Sequence, residues 1–219
     1  MKNKINKKKL IILGGYGVGM IAASIAENFY NFEIKDFLND KIKGKIGKFK
    51  KYNVLGSIKD NDFYLKEKNT YFFDAIVNYK KKEKYDVKIP ESKLVSLIHP
   101  NSNFYKDSLK IEKNVIICSN VNISTDVKIE KGVKIMSNVF IGHNSIIKEK
   151  SFIASSASIG GNVIIYENAF VGLNSTIIEN CKIGKNSILG AGSVLISNIK
   201  KGEVFVGNPA SRLKKNSKK

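Results

Sequence analysis

The sequence predicts a small Rossmann-like α/β domain with a parallel sheet, followed by a parallel β-helix. Two observations carry this prediction. Residues 8–30 show the pattern of a buried strand, a glycine-rich turn and an amphipathic helix. From Ile111 to Leu195, a branched aliphatic residue recurs at every sixth position. We expect the sheet domain at residues 1–100, the β-helix at residues 101–198, and a C-terminal loop with a basic tail at residues 199–219.

The opening residues predict a ligand-binding turn between a strand and a helix. "KLIIL" has the pattern of a buried strand, "GGYGVG" that of a tight turn, and "MIAASIAENF" that of an amphipathic helix. The N-terminus of such a helix offers free N–H groups to a phosphate. The glycines do not fit the G-x-G-x-x-G spacing cleanly, and a turn without a ligand is the alternative. The basic start and uncharged run imitate a signal peptide, but the glycines argue against one, and we expect a cytoplasmic protein.

Three further segments are strand candidates for the same sheet. They are "FEIKDFLND", "YFFDAIVNY" at residues 71–79 and "KLVSLIHP" at residues 93–100. Alternation of strands and helices predicts a parallel sheet. Loops at the carboxyl ends of parallel strands meet at one edge. We therefore expect Gly17, Asn39, Asp40 and Asn78 to converge there on one ligand.

The six-residue repeat predicts a β-solenoid. Fifteen consecutive hexads carry Ile, Val or Leu at the repeated position, and the position two residues earlier is restricted as well. Side chains two apart on a strand share a face, whereas a helix would need apolar spacings of three and four. Asparagine recurs at the turn position, where it tolerates a left-handed backbone. Each hexad is thus a short strand and a turn, with one large and one small residue facing inward.

Charge and cysteine content exclude several classes of function. The net charge is +19, yet all but one of the 38 basic residues are Lys, and the exception is Arg212. Recognition of nucleic acid usually recruits Arg for its bidentate geometry, so we expect no nucleic-acid partner. We expect part of the positive charge to attract polyanionic ligands such as coenzyme A and nucleotide sugars. Cys118 and Cys181 are too few for a disulfide framework or a cysteine metal site, and we predict no metal.

Residues 109–198 resemble the hexapeptide-repeat acyltransferases, whose repeats wind a left-handed parallel β-helix with three hexads per coil. The resemblance implies that handedness, about five coils each roughly 4.8 Å tall, and a homotrimer that buries the exposed faces. Together with the N-terminal domain, nearly the whole chain resembles the bacterial sugar acyltransferases. That group includes the bacillosamine-pathway UDP-amino-sugar N-acetyltransferases and the sialic acid O-acetyltransferase type.

The resemblance implies a nucleotide-sugar site in the N-terminal domain. The residues that match the family's site are Tyr16, Gly17, Val18, Asn39, Asp40, Val77 and Asn78. Gly17-Val18-Gly19 stands where the family often has Gly-His-Gly, and Val77-Asn78 stands in place of its Gly-Asn. His99, in "LIHPNS", matches the family's entry into the β-helix, and we expect a structural role for it.

The stretch "VFIGHNSII" places His143 at a turn, two residues after Ile141. The family's catalytic base occupies this position, and an imidazole suits proton removal from an amine near neutral pH. Gly161 follows one coil later, and the family uses the matching glycine N–H to bind the acyl carbonyl. Asn144 stands where the family usually has an acid; it can orient the imidazole, and the His-Asn pair resembles that of lipid A N-acyltransferases. The alternative is a turn position that accepted a histidine without a role.

The resemblance further implies an acyl-CoA site near the C-terminal coils. Its residues are Gly161, Phe152 (often His in relatives), Leu173 and Ala191, and "GEVFVGNPASRLKK" resembles the loop that shelters the cofactor. We therefore expect an N-acetyltransferase that uses acetyl-CoA and a nucleotide-activated amino sugar, foremost a UDP-4-amino-4,6-dideoxy sugar, in surface-glycan biosynthesis.

Several other functions compete with this expectation. A sialic acid O-acetyltransferase and a GDP- or dTDP-amino-sugar N-acyltransferase stay open. A carbonic anhydrase of this helix type needs three zinc-ligand histidines, and the chain has two histidines in all. A non-catalytic scaffold would have no reason to carry a nucleotide-type domain. No membrane partner is expected.

Overall fold

The computed structural model describes residues 7–41, 44–46, 51–77 and 89–213. The chain divides into two compact units, Met1–Leu97 and Ile98–Lys219. Among the described residues, no helix is long and apolar enough to cross a membrane.

The first unit contains a five-stranded sheet. Its strands are β1 (Lys8–Leu13), β2 (Phe32–Leu38), β3 (Gly44–Ile46), β4 (Tyr52–Gly56) and β5 (Thr70–Asp74), in the order β3-β4-β2-β1-β5. All neighbouring strands are parallel except the β3–β4 hairpin. Helix α1 (Val18–Phe29) joins β1 to β2, and the short α2 (Asn61–Leu65), after a 3₁₀ turn at Ile58–Asp60, precedes β5. The predicted small parallel sheet is confirmed.

Burial explains why the opening residues adopt these elements. The four consecutive apolar residues of β1, Leu10 to Leu13, are fully buried, as expected for a parallel strand covered on both faces. Helix α1 buries its small residues Ala22, Ala23 and Ala26, which allows the helix to pack closely on the sheet.

Two features of this unit differ from the sequence-based expectation. The β3–β4 hairpin was not predicted. The strand expected at residues 93–100 within this sheet was wrong: Leu94 makes only an isolated bridge to Phe72, and Leu97–Ile98 forms strand β6 of the β-helix. A short apolar run has the same pattern in either sheet, so periodicity alone does not assign it.

The second unit is a parallel β-helix with three faces. Face 1 consists of β6 (Leu97–Ile98), β9 (Ile116–Ile117), β12 (Lys134–Ile135), β15 (Phe152–Ile153), β18 (Phe170–Val171), β21 (Ile188–Leu189) and β23 (Val204–Val206), with β24 (Ser211–Arg212) antiparallel at its end. Face 2 consists of β7 (Asn103–Phe104), β10 (Asn122–Ile123), β13 (Phe140–Ile141), β16 (Ser158–Ile159), β19 (Thr176–Ile177) and β22 (Val194–Leu195). Face 3 consists of β8 (Leu109–Ile111), β11 (Val127–Ile129), β14 (Ile146–Ile147), β17 (Ile164–Ile165) and β20 (Lys182–Ile183).

The hexad positions form the core as predicted. The large aliphatic residues from Ile117 to Leu195 are buried, with exposures of 3% or less. The small inward residues are buried too, and the serines among them are fully buried with bonded hydroxyls: Ser175 Oγ donates to Gly172 O at 2.8 Å, for example. Such bonds offset the cost of burying a hydroxyl. The predicted inward pair is therefore confirmed.

The turns also agree with the sequence. Asn144 has a positive φ of 58°, as do the other turn asparagines from Asn114 to Asn186. The turn positions that lack Asn adopt the same conformation, as Lys150 (φ 60°) and Gly132 (φ 75°) show. This uniform turn keeps the coils in register, so that Ile123 pairs with Ile141 eighteen residues later.

The β-helix is longer than the repeat that predicted it. Strands β6 and β7 precede the first predicted hexad, and β23 follows the last one. In addition, Ile199 bridges to Ile183. The expected five coils thus underestimate the solenoid at both ends.

Candidate active site

His143 lies on an exposed turn of the β-helix. Strand β13 ends at Ile141, and the imidazole extends from the turn that leads from face 2 to face 3. We call the turns after the face 2 strands the histidine corner: residues 124–126, 142–144, 160–162, 178–180 and 196–198. Asn144 Oδ1 lies 3.4 Å from His143 Nδ1. With a proton on Nδ1, this N–H donates a hydrogen bond to the amide oxygen, and Nε2 keeps a free lone pair for a substrate.

Gly161 lies directly beside this imidazole. The coils stack so that Asn162 N donates to His143 O at 2.8 Å. A Cβ placed on Gly161 would lie 2.7 Å from His143 Nε2 and 2.8 Å from Cε1. The ring therefore rests against a backbone that only glycine provides. Gly161 O accepts from Asn180 N at 3.0 Å, whereas Gly161 N donates to no acceptor within the described ranges. The predicted pair of a base and a backbone N–H is thus adjacent in space.

Two further glycines support this corner, and the sequence analysis missed them. A Cβ on Gly142 would lie 2.5 Å from Gly160 C and from Gly161 N. A Cβ on Gly160 would lie 2.7 Å from Glu179 N. Both glycines let successive coils approach closely beside His143. The signal was present in "IGH" and "IGG", which place glycine after the hexad aliphatic residue in two successive coils of the histidine corner.

The residues expected to bind acyl-CoA lie elsewhere on the β-helix, apart from Gly161. Phe152 is on face 1, where its ring stacks on that of Phe170 with centroids 5.2 Å apart. Leu173, 57% exposed, and Ala191 lie one coil apart on the turns between faces 1 and 2. A Cβ on Gly172 would lie 2.4 Å from Ala191 N, so these turns stack tightly too. Within one chain, this group and His143 occupy different corners.

The first unit brings Gly17, Asn39 and Asp40, three of its predicted ligand residues, to one edge of the sheet. Gly14 N donates to Leu38 O, and Ala75 N donates to Leu13 O, both at 2.9 Å. The carboxyl ends of β1, β2 and β5 are therefore neighbours.

The glycine-rich turn at this edge starts helix α1. Tyr16 is 64% exposed. Gly17 is the N-cap of α1 with φ 69°, a conformation that favours glycine. The Val18 side chain is buried, so Val18 offers only its backbone to a ligand. The turn thus presents a helix N-terminus, a backbone N–H donor set suited to an anion.

Asp40 and Asn39 are engaged in local hydrogen bonds. Asp40 Oδ1 accepts from Ser57 Oγ at 2.8 Å and from Ile58 N at 2.9 Å, which holds the 3₁₀ turn after β4. Asn39 Oδ1 accepts from Lys41 N at 2.8 Å. Val77 is half-buried, and Asn78 lies outside the described residues. Sequence reasoning gave Asp40 a ligand role and did not foresee its capping role.

The thiols and carboxylates of the described residues suggest no other reactive centre. Burial raises the pKa of the Cys118 thiol to about 11 and raises the pKa of Cys181 as well, which makes both poor nucleophiles near neutral pH. Within residues 7–41, 44–46, 51–77 and 89–213, no group of three or more His, Cys, Asp or Glu side chains could hold a metal ion.

Solved structures similar to this chain include an acetyltransferase domain and a sugar N-acetyltransferase. The acetyltransferase domain of PglB from Neisseria gonorrhoeae FA1090, in complex with acetyl coenzyme A, matches with a TM-score of 0.81 and 22% identity, over 94% of this chain and 100% of that chain. A mutant of perosamine N-acetyltransferase from Caulobacter crescentus, in complex with CoA and GDP-perosamine, matches with a TM-score of 0.86 and 19% identity, over 94% and 97%. WeeI from Acinetobacter baumannii AYE matches with a TM-score of 0.74 and 21% identity, over 93% and 99%.

These matches establish the fold of the chain. It is a small α/β unit with a parallel sheet followed by a left-handed parallel β-helix. No family model and no curated protein sequence matches the chain.

Proposed function

We propose that this chain is an acyl-CoA-dependent sugar N-acyltransferase, which transfers an acetyl group from acetyl-CoA to the amine of a nucleotide-activated amino sugar. The observation that carries the proposal is the His143 imidazole resting against Gly161, whose N–H has no acceptor among the described residues. Acyl transfer to an amine requires a base that removes the amine proton and a nearby hydrogen-bond donor that stabilises the negative charge on the acyl oxygen. The ligands of the structural neighbours, acetyl coenzyme A and GDP-perosamine, support the same reaction.

The reaction proceeds without a covalent enzyme intermediate. His143 Nε2 removes a proton from the amine as the nitrogen attacks the thioester carbonyl carbon. The C–N bond forms, and the negative charge moves to the former carbonyl oxygen, where the Gly161 N–H would stabilise it. Collapse breaks the C–S bond, and the departing thiolate takes the proton from the imidazolium. Asn144 acts as a positioning residue through its contact with Nδ1.

The chain is further proposed to act as a homotrimer, and the placement of the proposed donor site supports this. Phe152, Leu173 and Ala191 lie on a different face and corner from His143. A second copy can bring its own Leu173 and Ala191 beside the first copy's histidine corner. We therefore place coenzyme A between adjacent subunits, with Gly161 and His143 from one and Phe152, Leu173 and Ala191 from the other.

We place the nucleotide of the acceptor at the edge of the sheet in the first unit. The exposed Tyr16 and the α1 N-terminus beside Gly17 supply an aromatic face and N–H donors. Val18, Asn39, Asp40, Val77 and Asn78 complete the proposed site. A UDP-4-amino-4,6-dideoxy sugar is the first candidate, and GDP- and dTDP-amino sugars are the others. We assign the reaction to surface-glycan biosynthesis in the cytoplasm.

Release of free coenzyme A thiol tests the proposal. The purified protein would be mixed with acetyl-CoA and UDP-, GDP- and dTDP-linked amino sugars, and with a sialic acid. We expect turnover with an amino sugar and its loss in His143→Ala by about 10²-fold or more. Ser197→Ala, at the same corner but three coils further on, is the matched control and should keep full activity. Turnover with a sialic acid hydroxyl alone would replace the proposal with O-acetylation, and full activity in His143→Ala would refute the mechanism.

A further inference from the structure

A fully buried hydroxyl lies behind the histidine corner. Ser145 is the small inward residue just before strand β14, and it is fully buried. Its Oγ donates to Gly160 O at 3.2 Å and accepts from Val163 N at 3.1 Å. His143 O lies 3.4 Å from the same Oγ, but it already accepts from Asn162 N at 2.8 Å. A hydroxyl has a single proton, and we therefore assign it to Gly160 O.

This hydroxyl takes the place of a backbone hydrogen bond in the turn of the next coil. At the corner between faces 3 and 1, the turn is closed directly, since Ser151 N donates to Lys148 O at 3.3 Å. In the turn at residues 160–163, the Val163 N–H donates to Ser145 Oγ instead. No backbone N–H of the described β-helix donates to Gly160 O. The conformation of this turn thus depends on a side chain from the neighbouring coil.

The carbonyl that Ser145 holds belongs to the amide of the proposed oxyanion donor. Gly160 O and Gly161 N are the two polar atoms of one peptide group, and this peptide is trans. In a trans peptide the C=O and N–H bonds point in opposite directions. The carbonyl points at a buried hydroxyl, so the Gly161 N–H points away from the core, to the side of the exposed His143. A hydrogen bond to the carbonyl oxygen also polarises the amide and strengthens its N–H as a donor.

The glycines on both sides make this peptide the one that most needs an anchor. Without Cβ atoms, the backbone angles on either side of the 160–161 peptide are weakly restricted, and the peptide plane is free to rotate. A residue with a side chain at position 161 would restrict it, but its Cβ would lie 2.7 Å from His143 Nε2. The anchor must therefore come from another part of the chain, and the Ser145 hydroxyl supplies it.

The serine also interrupts a column of valines in the core. The β11–β14–β17 register stacks Val127, Ser145 and Val163 at the inward position of face 3 in three successive coils. On faces 1 and 2, between residues 115 and 193, this position changes from valine to serine or alanine and does not return to valine. Burial of apolar surface favours valine over serine. Position 145 thus carries a hydroxyl where the adjacent coils hold a larger apolar side chain.

We propose that Ser145 is a positioning residue for acyl transfer, an inference that rests on the proposed function. Its hydroxyl fixes the peptide between Gly160 and Gly161, so that the Gly161 N–H meets the negative charge that develops on the acyl oxygen. The hydroxyl keeps its own proton throughout and touches neither substrate. Its contribution falls on the chemical step and leaves substrate binding unchanged.

Two variants of nearly equal shape isolate the hydroxyl. Ser145→Thr keeps it, and Ser145→Val replaces it with a methyl group. Both should fold, since valine occupies the same column in the coils on either side, and the thermal midpoint of each checks this. Loss of an oxyanion donor costs about 10²–10³-fold in kcat. Because Ser145→Val only releases the donor, we expect kcat to fall by about tenfold or more, with KM unchanged for both substrates. Ser145→Thr should retain most of the wild-type kcat.

Ser145→Ala and Ser151→Ala form the matched control pair. Ser151 is also fully buried, and its Oγ donates to Tyr166 O at 2.9 Å, again fifteen residues later in the next coil, but at the corner between faces 3 and 1. The assay is release of coenzyme A thiol with the UDP-, GDP- or dTDP-linked amino sugar that the wild type accepts. Ser145→Ala should lose kcat as Ser145→Val does, which also decides the test if the valine variant does not fold. Ser151→Ala should keep the wild-type kcat.

Three results would overturn the assignment and leave the proposed function intact. They are wild-type kcat in folded Ser145→Ala, equal losses of kcat in the threonine and valine variants, and a shifted midpoint in the pH profile of kcat/KM. The last result would mean that Ser145 acts through the base His143, because a change in the oxyanion donor alone lowers the rate at every pH. A wild type that acetylates no amino-sugar nucleotide would overturn both proposals.

Discussion

Replacement of Gly161 by alanine should separate catalysis from stability. The added Cβ would lie 2.7 Å from His143 Nε2, and ordinary contact begins at 3.4 Å. The imidazole must therefore retreat by about 0.7 Å or more, which it can do because His143 is exposed. Gly161 is not among the glycines with positive φ, so alanine adds no backbone strain. We expect the free energy of unfolding to change by less than about 1 kcal/mol.

The effect on catalysis should be much larger. A displacement of about 1 Å of a catalytic group can cost on the order of 10²-fold in rate. We therefore expect kcat to fall by about 10²-fold in Gly161→Ala, measured as coenzyme A thiol release. The backbone N–H is retained in this variant, so the loss reports the position of the base. Gly132→Ala is the matched control, because Gly132 has φ 75° and lies at a turn between faces 3 and 1, away from the proposed site; it should lose stability and keep kcat.

A double-mutant cycle decides whether the loss acts through the histidine. In a His143→Ala background, Gly161→Ala should cost little more, because the displaced ring is already absent. An equal cost in both backgrounds would refute the reasoning, as would wild-type kcat in a folded Gly161→Ala protein.

Three further predictions concern stability and titration. Asn186→Ala should lower the free energy of unfolding by about 1–2 kcal/mol, because φ is 58° at this turn, whereas Asn186→Gly should not; equal losses in a denaturant titration would contradict this. Cys118 should resist iodoacetamide at pH 8 in the folded protein, since burial raises its pKa to about 11. Rapid labelling of Cys118 in the native protein, detected by mass spectrometry, would contradict this prediction. Burial raises the pKa of the Asp36 carboxyl in the folded protein. The protonated carboxyl is therefore compatible with folding at low pH, and the ionised carboxylate opposes folding as the pH rises above the pKa of Asp36 in the unfolded chain. Asp36→Asn should accordingly raise the thermal midpoint at pH 7 more than at pH 4.

The β-helix was predictable because its stability depends on a repeated local rule. Each hexad needs one large and one small inward residue and a left-handed turn, and a reader of the sequence can check these three requirements residue by residue. The same rule gave the adjacency of His143 and Gly161, since one coil is eighteen residues. Where the repeat is irregular, in the turn after Phe104 with its additional residue, the sequence did not reveal the irregularity.

The first unit was less predictable for physical reasons. A carboxylate after a strand can cap a turn or hold a ligand, and the sequence pattern is the same for both. The distances from Asp40 to Ser57 and Ile58 show that it holds a turn, and its role toward a ligand stays a prediction. The β3–β4 hairpin is short, and short strands give a weak alternation signal. The run at residues 93–100 was assigned to the wrong sheet because apolar residues do not identify the sheet they join.

The position of His143 along the solenoid protects the site from loss of order at the ends. In a solenoid each coil contacts only its neighbours, so unfolding can start at a terminal coil and spread inward. Strand β13, which leads to His143, is the third of the six strands on face 2. Strand β16, which leads to Gly161 beside the ring, is the fourth, so two coils on either side of this pair can fray before the base loses its support. The proposed chemistry thus sits on the most insulated section of a structure whose ends are its weakest parts.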